Sequence, residues 1–237
     1  MPSRLKDYLI TLSAVLYLSA NAFASPSPSP DYALLSRSAT EAVGIVLQSS
    51  QRQWLQTRSE LKLGTSAPDY PPFDMTVSGQ DYEGLTADYA GILSQATGLP
   101  IRVQRFPSRE AAIRALIDGQ IDLLGTANGY EAGNANLALS RPYAVDQPVL
   151  VTREDETRSL TEGLAGLRLS MVYHYLPLPE IKALYPKALI TCYPSYQNAI
   201  NAVAFDQADV FLGDTLSTHY MINKGYLNNV RMANFGK

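Results

Sequence analysis

Two rhythms of apolar and polar positions alternate along this chain, and the switches between them mark its elements. Leu61 and Leu63 flank a lysine and lead into a loop of Ser, Pro, Asp and Tyr, which predicts a strand over 61–65 opening into an irregular segment. Leu85, Tyr89, Ile92, Leu93 and Ala96 then fall at helical spacing until Gly98 and Pro100 stop the helix. The alternation continues with a strand over 101–105, a helix over 108–118 capped by Ser108 with Glu110 in its first turn, and a strand over 121–125. An apolar strand over 148–152 is followed by a densely charged stretch, 153–161, and the βα rhythm restarts: strands over 168–172, 188–192 and 208–213, helices over 178–185, 195–205 and 214–224. Upstream, residues 40–60 have a helical pattern with Val43, Val46, Leu47, Trp54 and Leu55 mostly on one face. Successive βαβ units imply parallel strands, and the charged break near residue 153 predicts a crossing between two α/β lobes, 61–152 and 153–237.

The first 24 residues change this picture. Arg4 and Lys6 precede an apolar run from Leu9 to Leu18 that ends in Ala22-Phe23-Ala24, the signature of an export signal cleaved after Ala24. Residues 25–39 begin with a Ser-Pro alternation and read as an extended linker, with 40–60 as an N-terminal helix. Cys192 is the only cysteine, so no internal disulfide forms, and export without disulfides points to a bacterial periplasm. Loss of Arg4, Lys6 and Asp7 with the signal takes the formal charge from −3 to −4, and no basic cluster is present, which argues against nucleic acid as a partner.

Ligands of parallel α/β sheets sit beyond the carboxyl ends of the strands. After the first strand comes Tyr70-Pro71-Pro72-Phe73, two aromatics held by two prolines, with Tyr82 as a third candidate wall. After the third comes Gly125-Thr126-Ala127-Asn128-Gly129-Tyr130, small and polar, with Thr126 and Asn128 as neutral hydrogen-bonding groups. In the second lobe Tyr173, His174 and Tyr175 follow a strand and precede a proline-started helix whose N-terminus suits an anion. Asp214 opens the last helix, where an N-cap role competes with ligand contact. His174 and His219 stand apart with no ligand spacing around them, so no metal or other cofactor is expected. No G-x-S-x-G, H-E-x-x-H, Walker or dinucleotide glycine motif occurs, which argues against catalysis.

The order APDYPPFDM, EGLTADYAGIL, DGQIDLLGTAN, LSRPYAVDQPVLVTR, FDQADVFLGDT resembles the type II periplasmic solute-binding fold, the Venus flytrap. Within it, GLTADY, DLLGTAN, PYAVDQPVLV, YLPLPEIKALYPKA and AVAFDQADVFLGD most resemble the periplasmic sensor domains of BvgS-type hybrid histidine kinases, over residues 54–237. The resemblance implies two lobes, each a mostly parallel sheet flanked by helices, closing on a small polar solute such as an amino acid or a carboxylate-like metabolite. It implies a membrane-anchored, dimeric parent, and a chain that stops at Lys237 before its return to lobe 1. Amino-acid-binding relatives clamp the ligand carboxylate with an arginine where this chain has Gly133, while Asp214 matches the aspartate that receives a ligand amine. The rivals are a free solute-binding protein of an ABC importer and the binding module of an exported lytic transglycosylase.

Overall fold

The computed structural model describes residues 31–38, 44–76, 78–135, 137–173 and 175–233. The expected export signal, the start of the linker and His174 lie outside them.

The first lobe is built from β1 (Asp31–Leu34), α1 (Ser49–Gln56), β2 (Leu61–Ser66), β3 (Asp81–Tyr82), α2 (Leu85–Thr97), β4 (Ile101–Phe106), α3 (Arg109–Ile117), β5 (Leu123–Leu124) and α4 (Gly129–Ala135). Its sheet has the order β3-β1-β4-β2-β5, parallel except where β1 meets β4. Leu61, Leu63, Ile101 and Val103, the apolar positions of β2 and β4, bury against Ala87 and Ala90 of α2. Two expectations fail here. Residues 31–34, assigned to the linker, form a strand, because β4 and β3 together offer them backbone partners. The helix expected over 40–60 is, among the described residues, the eight-residue α1 with no buried side chain, and Trp54 lies exposed with the Arg58 guanidinium 4.7 Å over its ring.

The second lobe comprises β6 (Pro148–Arg153), β7 (Arg168–Val172), α5 (Leu178–Leu184), β8 (Leu189–Tyr193), α6 (Tyr196–Ala204), β9 (Val210–Asp214), α7 (Thr215–Lys224) and β10 (Val230–Ala233). The sheet order is β10-β6-β9-β7-β8: β7, β8 and β9 run parallel, and β6 is antiparallel to both its neighbours. One face packs on α6 through Ala199, Ile200 and Val203, and the other packs Leu164, Leu169, Met171 and Ile181. β6 therefore belongs to the second sheet, and the crossing lies in the segment before Pro148 rather than near residue 153. The charged stretch behind the old boundary is a surface excursion whose Glu156 and Arg158 join Arg168, Asp206 and Asp209 in an ion-pair network.

Gly84 fixes the loop that leaves β2. Its φ of 115° lies in the left-handed region, and a Cβ there would stand 2.4 Å from the Phe73 carbonyl oxygen and 2.6 Å from that of Pro72. That close approach lets Leu85 and Thr86, in the first turn of α2, donate to the Pro72 and Phe73 carbonyls at 3.0 and 3.2 Å. The helix start and the aromatic loop are thereby one unit.

Candidate functional site

Between the lobes lies a cleft of about 840 Å³, within the usual range for small-molecule sites. Its walls are the loop after β2, the loop after β5, the crossing segment, the end of β7 and the end of β9.

From lobe 1, Tyr70 reaches across this cleft. Its ring stacks on Phe73 at 5.2 Å with 13° between planes, and leans on Tyr196 of lobe 2 at 5.6 Å. Its hydroxyl donates to Asp214 Oδ2 at 2.6 Å, and Tyr175 donates to Oδ1 of the same carboxylate at 2.8 Å. One aspartate thus collects a phenol from each lobe. Burial and the adjoining Asp214 charge push both phenols well above the usual tyrosine range. Burial also raises Asp214, helped by the nearby Asp146 charge and opposed by the phenolic hydrogen bonds.

Asp214 stands at the N-cap of α7 but makes no capping bond with its side chain. The cap comes from the crossing segment: Asp146 Oδ1 accepts from Leu216 N at 2.9 Å, from the Thr215 hydroxyl at 2.6 Å and from Gln147 N at 3.0 Å. With its helix end satisfied from elsewhere, Asp214 turns to the cleft. The second Asp146 oxygen, Oδ2, is buried without a hydrogen-bond partner, and Asp146 also lines the cleft.

On the lobe 1 side, Asp74 lies buried beneath the cleft and accepts from the Tyr82 hydroxyl and, at 2.8 Å, from the Thr126 hydroxyl. Burial pushes its carboxyl up. Tyr82 is therefore a core residue, fully buried and absent from the cleft lining, which corrects its expected role as a wall. A strand of Asp81-Tyr82 turns the tyrosine inward, where Asp74 satisfies its hydroxyl. Tyr143, from the crossing segment, donates to the Gly125 carbonyl at 2.9 Å, pairs with the Thr86 hydroxyl at 2.8 Å and packs on Tyr89 at 4.7 Å between centroids.

Of the other expected residues, Phe73, Thr126, Asn128, Tyr173 and Tyr175 all line the cleft. Phe73 is buried, Tyr173 is half-exposed, and Asn128 is occupied in capping α4 by accepting from Glu131 N at 2.9 Å. Gly133 sits on the exposed face of α4, away from the lining. The lining does contain an arginine that the sequence reading passed over. Arg109 donates through Nε and Nη2 to the two Glu131 oxygens at 2.7 and 2.9 Å, and also to the Thr126 carbonyl, so its guanidinium is already paired. Asp74, Asp146, Tyr143 and Tyr196 were likewise missed. Only Asp146 and Tyr143 carried a signal, as polar atoms in the PYAVDQ run that joins the two lobes.

Among the described residues no cluster of three or more His, Cys, Asp and Glu side chains is arranged to hold a metal, and no helix is long and apolar enough to cross a membrane.

Comparison with known proteins agrees with this architecture. The chain is 41% identical over 234 residues to the virulence sensor protein BvgS of Bordetella parapertussis, covering 98% of this chain and 19% of BvgS. It is 25% identical over 191 residues to the sensor protein EvgS of Escherichia coli O157:H7, covering 80% of this chain and 16% of EvgS. The chain thus spans about a fifth or less of the curated relatives it matches. A crystal structure of the B. pertussis BvgS periplasmic domain superposes with a TM-score of 0.75 at 41% identity, over 88% of this chain and 41% of that one. The fold is that of the periplasmic Venus-flytrap domains. Residues 61–228, which hold every cleft residue described above, match the model of the bacterial extracellular solute-binding proteins, family 3, and the chain belongs to that family.

Proposed function

We propose that this chain is the periplasmic solute-binding sensor domain of a membrane-anchored, dimeric hybrid histidine kinase, acting by binding and not by catalysis. The observation that carries the reading is the Tyr70–Asp214 bond, in which a side chain of one lobe closes on the other inside a cleft of ligand size. A solute that binds the closed and open forms with different affinity shifts the lobes between them, and that shift is the signal. Tyr70, Phe73, Tyr175 and Asp214 form the contact set in this reading, with Thr126 on the floor and Asn128 and Tyr173 at the rim. The high identity to BvgS over almost the whole chain supports a sensor over a free importer component.

For the solute itself, an amino acid would find Asp214 for its amine. A carboxylate would find, among the described lining residues, Arg109 as the one cation, and it is already held by Glu131. The test has two parts. Thermal melts of the domain against a library of polar metabolites are expected to yield a stabilising compound whose effect is lost in Asp214→Ala. Substituting this chain for the matching stretch of Bordetella BvgS is expected to make a BvgS-dependent reporter respond to the same compound. A library without a stabilising compound, or a reporter indifferent to one that binds, would overturn the reading.

A further inference from the structure

The charges lining the cleft say which class of solute it takes. Six carboxylates line it, Asp69, Asp74, Asp122, Glu131, Asp146 and Asp214, and the single cationic side chain among the described lining residues is Arg109. Three of the six have cationic partners: Asp69 with Arg105 at 2.7 Å, Asp122 with Arg58 at 3.4 Å, and Glu131 with Arg109 at 2.7 Å. Asp74 is enclosed by hydroxyl donors under the floor. Among the described residues no cationic side chain pairs with Asp146 or Asp214. They sit close together, because Thr215 N donates to the Gln147 carbonyl at 2.9 Å and Pro148 pairs with Asp214 in the β6–β9 ladder.

Asp146 is incompletely served, and one of the two donors to Asp214 comes from the other lobe. Asp146 Oδ2 is buried with no donor. Asp214 accepts hydrogen bonds from two phenols, and the one from Tyr70 comes across the cleft, so it is lost when the lobes part. Tyr70, Phe73, Tyr143 and Tyr175 line the same cleft, and aromatic rings attract ammonium and guanidinium groups.

Resting on the solute-binding reading, we infer that the ligand is a small organic cation without a carboxylate, an alkylammonium or guanidinium compound, held between Asp146 and Asp214. The donors of such a cation satisfy Asp146 Oδ2 and take the Asp214 position that Tyr70 holds in this structure. An anionic solute meets uncompensated negative charge there, and a zwitterion brings a carboxylate for which no unpaired guanidinium lines the described cleft.

Three probes of equal chain length separate the classes: 1,4-diaminobutane, 4-aminobutanoate and succinate, titrated against the full chain by calorimetry at low ionic strength. Diaminobutane is expected to bind at least 10-fold more tightly than aminobutanoate, with no succinate binding. Asp146→Asn keeps an oxygen to cap α7 while deleting the charge, and is expected, like Asp214→Asn, to weaken diaminobutane at least 10-fold. Asp155→Asn, at an exposed carboxylate far outside the lining, is expected to leave it unchanged. Equal or tighter binding of aminobutanoate or succinate overturns the cation assignment and leaves solute binding standing. Diaminobutane binding that Asp155→Asn weakens as much as Asp146→Asn is a surface charge effect and overturns the assignment too. If neither these probes nor any member of the metabolite library binds, both readings fall.

Discussion

Replacing Tyr70 with phenylalanine removes one oxygen and leaves the ring that stacks on Phe73 and leans on Tyr196. What is lost is the 2.6 Å bond to Asp214, a buried hydrogen bond to a charged acceptor, worth about 1.5–3 kcal/mol. When the lobes open, water can replace the phenol on Asp214, so the loss falls on the closed form alone. A penalty of that size moves the closed-to-open ratio by about 10- to 150-fold. Urea denaturation of wild type, Tyr70→Phe, Asp214→Asn and the double variant at pH 7 gives the coupling between the two groups directly. The expected value is at most about 1.5–3 kcal/mol, because a variant that opens loses no more stability than the gap between the closed and open forms. Pulsed dipolar spectroscopy, with spin labels at exposed Ile117 and Phe205 on opposite lobes in a Cys192→Ser background, is expected to show a longer distance emerging in Tyr70→Phe. A coupling below about 0.5 kcal/mol together with an unchanged distance distribution would refute the idea that this bond holds the lobes shut.

Gly84→Ala places a methyl against two carbonyl oxygens and forces a residue with a Cβ into φ of 115°; a loss of about 2–4 kcal/mol and a melting temperature lower by roughly 4–15 °C are expected by calorimetry. Asp74 has its folded pKa raised by burial, so its contribution to stability is fully present below the unfolded value near 3.8 and is lost as pH rises through the folded one. Melts from pH 3.5 to 8 should therefore show Asp74→Asn gaining on wild type as pH rises, and a constant difference would refute that assignment. Glu156 runs the other way, since hydrogen bonds from Arg158 hold it down to about 2. Its stabilisation is present above the unfolded value near 4.5 and is lost as pH falls toward 2, so Glu156→Gln should be destabilised at pH 7 and match wild type near pH 2.

The alternation of strand and helix was legible because each element carries its own signal: β4 begins Ile-Arg-Val with Ile101 and Val103 inward and Arg102 outward, and Ser108 and Ser195 cap their helices as their sequence positions suggest. Pairing partners carry no such local signal. The run PVLVTR is an apolar strand in either lobe, and only its ladders with β9 and β10 assign it to the second. β1 is four residues with Tyr32 and Leu34 as its only large apolar positions, too little to stand out from a linker without the edge of β4 beside it. Tyr82 looked like a cleft aromatic because it follows the Tyr70–Phe73 loop closely in sequence, and that proximity does not record that β3 turns its ring into the core. The two roles open to Asp214 were decided by Asp146, 68 residues earlier in the chain, and no local pattern around either residue records that pairing.

The crossing segment explains how the site divides when it works. Tyr143 is anchored in lobe 1 through Thr86 and Gly125, while Asp146, three residues on, is anchored in lobe 2 through Thr215 and Leu216. Between them Ala144 and Val145 make few demands, and Val145 is largely exposed, so the proposed rotation of the lobes is expected to concentrate there. Asp146 then travels with α7 and stays beside Asp214, whereas Tyr70 and Phe73 leave with lobe 1. In the proposed site, the charged half is thus complete on lobe 2 in an open form, which is expected to capture a solute before closure. The aromatic half arrives only on closing. Because Tyr70 brings its own donor to Asp214, closure without solute already has part of its hydrogen bonding satisfied, and a ligand acts on the equilibrium only by the difference between its contacts and that phenol's.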